Sequence, residues 1–257
     1  MAEVRLALTD ALGPVYRVER EVRPVGECRL FVARRIPTGP DLLVKVLPRA
    51  LSLAIDARVF EREVLLLAKR FRHDGLVPPR GAGRAGPVVY HTRPFVEGTT
   101  LRAWLQSHRT VPLTRAVEIL RDVLAALAEV HAAQLVHGDL RPENVLLTDT
   151  QTVLADAGIA GAVGRSLTAG PLPPAAPSTP QDDLFAVGSL VHEMLTGRPP
   201  LAEPEPLEES RSLPAWLPEL LRRCQATKPS ARWSDAGEAL AALRALPPRD
   251  SRDQLRL

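Results

Sequence analysis

The sequence predicts an α+β protein of two lobes, a small antiparallel sheet carrying one helix followed by a larger helical lobe, with a cleft between them. Three observations predict it. Short Val/Leu/Ile runs separated by turn signals fill the first third, long amphipathic stretches fill the chain after Gly98, and 257 residues suffice for one large domain or two lobes sharing a cleft. The expected division is residues 1–97, residues 98–246 and a polar tail at 247–257.

Taken in order, Tyr16 to Val22, Arg29 to Arg35 and Leu42 to Leu47 read as strands, the last two joined through Pro37-Thr38-Gly39-Pro40. From about Ile55 to Phe71, Val59, Phe60, Val64 and Leu67 recur at helical spacing. Val88 to Phe95 reads as another strand. Thr114 is a good N-cap for a helix running through Ala133, and further helices are expected at Asp182 to Thr196, Ala215 to Cys224 and Ser234 to Leu246. Between Gly158 and Pro180 the composition shifts to Gly, Pro, Ala, Ser and Thr, which predicts a long functional loop. Pro247 to Leu257 reads as a frayed end.

Composition narrows the function. Hydrophobic residues at 45% and charged residues at 25% argue against disorder. A net charge of +3 with scattered arginines gives no basic stripe, so nucleic acid is not an expected partner despite a pI near 9.2. Met1 to Pro14 carries no cationic segment followed by an apolar run, and runs such as Val64 to Ala68 are too short to cross a bilayer. A cytoplasmic chain without membrane contact is the expectation. Cys28 and Cys224 lie far apart outside any metal-ligand spacing, so both read as small apolar fillers.

The segment His137-Gly138-Asp139-Leu140-Arg141-Pro142-Glu143-Asn144 carries the chemistry. An Asp and an Asn at this spacing, between a helix and a short strand, can set a carboxylate beside an acceptor hydroxyl while the amide oxygen holds a metal ion. Asp156-Ala157-Gly158 follows a strand and offers a second hard oxygen ligand, suited to magnesium. Lys45 lies on a strand in a chain with only three lysines, and Phe60-Glu61-Arg62-Glu63 sets carboxylates on the following helix.

In this order, these elements resemble the protein kinase superfamily, and among its members the bacterial Ser/Thr kinases of the eukaryotic-like type. The resemblance covers nearly the whole chain. Arg93-Pro94-Phe95-Val96-Glu97-Gly98 resembles the hinge, where the backbone of Pro94 and Val96 would bond adenine. Asp183 to Gly188 resembles the buried helix that anchors the catalytic loop, and Lys228 to Arg232 the late motif whose arginine pairs with an activation-segment glutamate. The resemblance implies that Lys45 holds the ATP phosphates and pairs with Glu63, with Glu61 as a fallback partner. It also implies that Asn144 and Asp156 bind Mg2+, or Mn2+ in its place, and that Asp139 orients the acceptor hydroxyl.

The sequence departs from the family pattern at several of these positions. The three glycines of the phosphate-covering loop fall on Arg23, Val25 and Cys28, with only the neighbouring Gly26 left to bend the backbone. Arg93 occupies the position that controls access behind the adenine, where a guanidinium must reach Glu63 or enter the nucleotide pocket. Arg141 replaces a lysine at the γ-phosphate, Gly138 replaces the arginine that reads a phosphorylated loop, and Ala157 replaces a phenylalanine. Pro171, Pro174 and Ser178 replace the docking residues of the activation segment, so Arg232 loses its partner, and with Gly138 in place of the reading arginine Ser166 and Thr168 are poor switch sites. Three functions stay open: a regulatory pseudokinase with weak or absent phosphotransfer acting through a protein partner, an active Ser/Thr kinase acting on a protein substrate, and a small-molecule kinase.

Overall fold

In the computed structural model, residues 2–25, 27–168, 178–199, 213–214 and 216–245 are described. Strands β1 (Tyr16–Val25), β2 (Cys28–Arg35) and β3 (Leu42–Val46) form an antiparallel meander. With β5 (Gly81–Ala85) and β6 (Val88–Pro94) they make one sheet in the order β1-β2-β3-β6-β5. Side chains alternate across it as strand geometry requires. Phe31, Ala33, Leu42, Val44 and Val46 share one cluster, while Leu30, Val32 and Leu43 form another on the opposite face. That alternation puts Lys45 on the same face as Leu43.

The first cluster is covered by α1 (Ala2–Leu12), a helix that the reading of this stretch for a targeting signal did not anticipate. Leu8 is fully buried there with Val4, Ala7 and Leu12 packed around it, and Arg5 donates to the carbonyls of Val18 and Glu19 at 3.1 and 2.9 Å. The opposite face receives α2 (Arg49–Ala54) and α3 (Ala57–Ala68). Helix α3 starts where Asp56 accepts from the amides of Arg58 and Val59, and it ends three residues short of Phe71. Its buried stripe is Phe60, Val64 and Leu67, each worth about 2–3 kcal/mol by area removed from water.

Past the short β4 (Leu76–Val77), the helical part begins with β7 (Thr99–Thr100) and α4 (Leu101–His108), whose first turn Thr100 caps by accepting from Ala103 at 3.0 Å. The long α5 (Leu113–Ala132) buries Ile119, Leu120, Val123, Leu124, Leu127 and Val130. Pro112, not Thr114, holds the cap position, because a proline is favoured at the edge of a first turn that needs no amide donor. A second small sheet, β4-β9-β8-β7, is completed by β8 (Val145–Leu147) and β9 (Thr152–Ala155).

The expected loop after Gly158 opens with a helix, α6 (Ile159–Ser166), packed on α3. Helix α7 (Pro180–Thr196) starts two residues before the expected Asp182, fixed by a reciprocal cap between Thr179 and Asp182. It packs against α5 and α8 (Trp216–Cys224), and α9 (Ala236–Arg244) closes on α5. The Gly170 to Pro174 segment, Gly26 and the tail after 245 lie outside the described residues. No described helix is long and apolar enough to cross a membrane.

Candidate functional site

The floor of the cleft is assembled around one buried carboxylate. Asp183, on α7, accepts from the amide of His137 at 2.7 Å, the amide of Gly138 at 2.9 Å and the ring of His131 at 3.0 Å. His131 in turn accepts at Nδ1 from the amide of Ala236, so its proton sits on Nε2 and points at Asp183. This network fixes the loop that ends in Asp139. Asn144, 2% exposed, donates through Nδ2 to the Asp139 carbonyl at 2.8 Å and to its carboxylate at 3.0 Å, which settles the orientation of the amide. Arg141 folds back over the same loop, 3.0 Å from Glu143 and 4.0 Å from Asp139.

Asp156 closes the far end of β9 with φ of +66°, a conformation that costs a non-glycine residue about 1–3 kcal/mol and is retained where the surroundings over-determine it. Those surroundings are hydrogen bonds from Gly158 to the His137 carbonyl and from Ile159 to the Asp156 carbonyl.

The roof is partnered differently from the expectation. Lys45 does not pair with Glu63; its Nζ lies 2.6 Å from Asp156 Oδ2. Glu63 turns away to Arg165 on α6, at 2.7 Å, and Glu61 is exposed. Arg93 also does not reach Glu63. Its Nε faces Asp156 Oδ1 at 3.6 Å and its Nη1 lies 3.5 Å from the carbonyl of Pro94, the hinge atom expected to meet adenine. Lys45, His91 and Arg93 therefore converge on Asp156 from neighbouring strands, because Lys45 pairs with His91 and Leu43 with Arg93 in the β3–β6 register.

The electrostatics follow. Burial by itself raises the Asp156 carboxyl, but the adjacent cations, Lys45 first, hold it far below the usual carboxylate range. Burial works against the Lys45 ammonium, yet Asp156 more than compensates and holds its pKa up. For Arg93 burial wins over Asp156 and its pKa is lowered. His91, packed edge-on to Phe60, is pushed down to about 4 by burial and so is neutral near pH 7. Both its ring nitrogens, Arg93 Nε, Asp156 Oδ1 and His137 Nε2 are buried without a hydrogen-bond partner among the described residues. Cys28, the filler in the sequence reading, is half-buried at the cleft end of β2, and burial pushes its thiol up.

Helix α6 explains one of the sequence departures. Gly138 has φ of +76°, and a Cβ there would lie 3.2 Å from the Cβ of Ala160, so α6 fills the space above it. A Cβ on Gly158 would meet Leu67 of α3 at 2.8 Å. The end of α6 is also stitched to the start of α3: Asp56 donates to the Ser166 carbonyl, Ile55 and Leu167 form an antiparallel bridge, and Thr168 donates through both its amide and its hydroxyl to Ala54. Arg232 has found a replacement partner, Asp182, at 3.3 Å, and stacks on Phe185.

Between the lobes lies a cleft of about 700 Å³. Leu30, Leu43 and Phe95 line it from one cluster and Leu146 and Val96 from another, an apolar slot of the chemistry that a flat base takes, with Arg93 and Arg20 also in its lining. A nucleotide fits these residues. A divalent cation does not fit them as arranged. Asn144 and Asp156 are oxygen donors of the right kind, but one Asp156 oxygen is committed to Lys45 and the other faces Arg93.

Comparison with known proteins agrees with this architecture. The family described as protein kinase domain matches residues 29–243. The serine/threonine-protein kinase PknL of Mycobacterium tuberculosis is 36% identical over 145 residues, 51% of this chain and 36% of that protein. The probable serine/threonine-protein kinase PknB of Lactococcus lactis is 30% identical over 203 residues, 72% of this chain and 32% of that protein. The chain thus spans about a third of the length of these relatives. The PknI kinase domain of M. tuberculosis superposes with a TM-score of 0.70 at 24% identity over 90% of this chain and 95% of that one, which shows the same fold, an antiparallel-sheet lobe and a helical lobe. Rad53 in complex with AMP-PNP superposes at 0.67 with 20% identity, covering 88% of this chain and 64% of that one.

Proposed function

This chain belongs to the protein kinase domain family, and we propose that within it the chain is a regulatory pseudokinase: a domain that holds ATP in its cleft, transfers phosphate weakly or not at all, and acts through contacts with a protein partner. One observation carries the reading. The cleft's own cations neutralise Asp156, while the helix carboxylate Glu63 is held by Arg165 instead of Lys45. Phosphoryl transfer in this family depends on positioning and charge neutralisation, with the lysine paired to the helix glutamate and the strand-end aspartate free to act on the phosphates. Neither condition is met here.

In this reading the base lies in the slot between Leu43 and Leu146, where the backbone of Pro94 and Val96 borders it, and Lys45 and Arg141 meet the phosphates. Glu63, held by Arg165, has no part in holding ATP. The likeness to Rad53, solved with AMP-PNP, supports an adenine nucleotide as the ligand class.

A second reading, an active Ser/Thr kinase, is favoured by the floor of the cleft: Asp139 is held ready by Asn144 on a loop that Asp183 anchors. Incubation with γ-labelled ATP separates the two. The pseudokinase reading expects no label in the chain or in added protein substrates and no released phosphate. Incorporation by the native chain that disappears in Asp139→Asn would overturn it and establish the active kinase.

A further inference from the structure

We propose that this cleft binds a nucleotide polyphosphate without a divalent cation, the Arg93 guanidinium standing where a metal ion would otherwise meet Asp156. The proposal rests on reading the cleft as a nucleotide site and adds how the phosphate charge is met.

The charge count comes first. Asp156 is the one carboxylate within ion-pair distance of both Lys45 and Arg93 among the described residues, Asp139 acting on Lys45 from further off, and the three side chains are only 10%, 10% and 5% exposed. One positive charge is left without a partner in a place where solvent cannot screen it, and such a charge is costly unless an anion supplies the balance. Unmade hydrogen bonds point the same way. Arg93 lines the cleft, and its buried Nε, 3.6 Å from Asp156 Oδ1, makes no hydrogen bond among the described residues. Further cations are Arg20, which makes no ion pair among the described residues, and Arg141, whose side chain is 44% exposed.

Charge and crowding then weigh against the alternative. A magnesium ion binds an oxygen at about 2.0–2.1 Å. Seated on Asp156 Oδ1, it would share that oxygen with a guanidinium nitrogen at 3.6 Å, and arginine cannot give up its proton to make room. The ion and the guanidinium compete for one place, and the guanidinium is covalently tethered there.

The test is isothermal titration of the full chain with ATP, once in EDTA and once in Mg2+, on the native protein and on Arg93→Met. The native chain is expected to bind ATP with dissociation constants within about threefold of each other in the two buffers. In Arg93→Met, binding in EDTA is expected to weaken by about tenfold or more, as for loss of a charge-assisted contact, and Mg2+ is expected to restore it. Native binding that needs Mg2+ overturns the proposal while leaving the nucleotide site intact. No native binding in either buffer overturns both. If Arg93→Met fails to fold, the native comparison alone still decides.

Discussion

The two sides of the cleft are built from similar residues to opposite effect. On the floor, the backbone of the loop is held by one buried carboxylate, Asp183, with three donors around it. On the roof, the charged groups are held by partners from remote segments, and several donors and acceptors have none. The floor is therefore a loop fixed in one geometry, and the roof a set of charges re-partnered with one another. The contrast separates keeping a motif from keeping its geometry.

The contrast breaks first if Asp183 is not what fixes the floor. Asp183→Ala strands three buried donors and is expected to cost about 3–5 kcal/mol in urea unfolding, or to prevent folding altogether. A loss below about 1 kcal/mol would mean the loop stands without it.

On the roof, His91 sharpens the comparison through pH. Its pKa in the folded chain is about 4, against an ordinary value of about 6.5. Between those values the unfolded chain binds the proton and the folded chain refuses it, so stability falls as pH is lowered through this window. The drop from this residue is expected to be about 3–3.5 kcal/mol, since each unit is worth about 1.4 kcal/mol. His91→Phe keeps the edge contact with Phe60 and removes two unpartnered nitrogens, so it should flatten that part of the pH–stability curve; an unchanged slope would place the effect elsewhere.

Much of the floor was legible in the sequence because its parts are contiguous: Asp139, Asn144 and Asp156 lie within one short stretch whose spacing carries their geometry. The roof was legible only as a list of residues. Glu63 sits on the inward side of a well-patterned helix, yet its partner Arg165 is 102 positions away, and no periodicity says which cation it meets. Helix α6 escaped for a related reason. Ile159 to Ser166 contains two glycines and a serine, poor helix formers that read as a loop, and packing on α3 supplies what propensity lacks. Helix α1 was missed although Val4, Leu8 and Leu12 recur every fourth residue, because the stretch was searched for a leader and not for a pattern.

Two smaller effects test whether α6 is the clasp that holds the roof apart. Gly138→Ala forces a side chain into a positive φ and against Ala160, and about 1–2 kcal/mol of stability should be lost, read by thermal unfolding. An unaltered melting temperature would show that α6 does not rest there. Arg165→Ala removes a pair that is half exposed on the arginine side, so only about 0.5–1 kcal/mol is expected. Its informative readout is amide exchange in α3 and α6, which should quicken in both helices together; quickening in α6 alone would uncouple them.

The contact between Gly138 and Ala160 also bears on how this chain can change. A long side chain at position 138 meets occupied space and an unfavourable backbone at once, so restoring the missing arginine is not a single step. Helix α6 would have to be displaced first, by changes that bring no benefit until the arginine is present. A larger residue at 138 thus requires α6 to shift together with its anchors at Arg165, Thr168 and Ala54, so this one glycine ties the loop's sequence to the position of a helix.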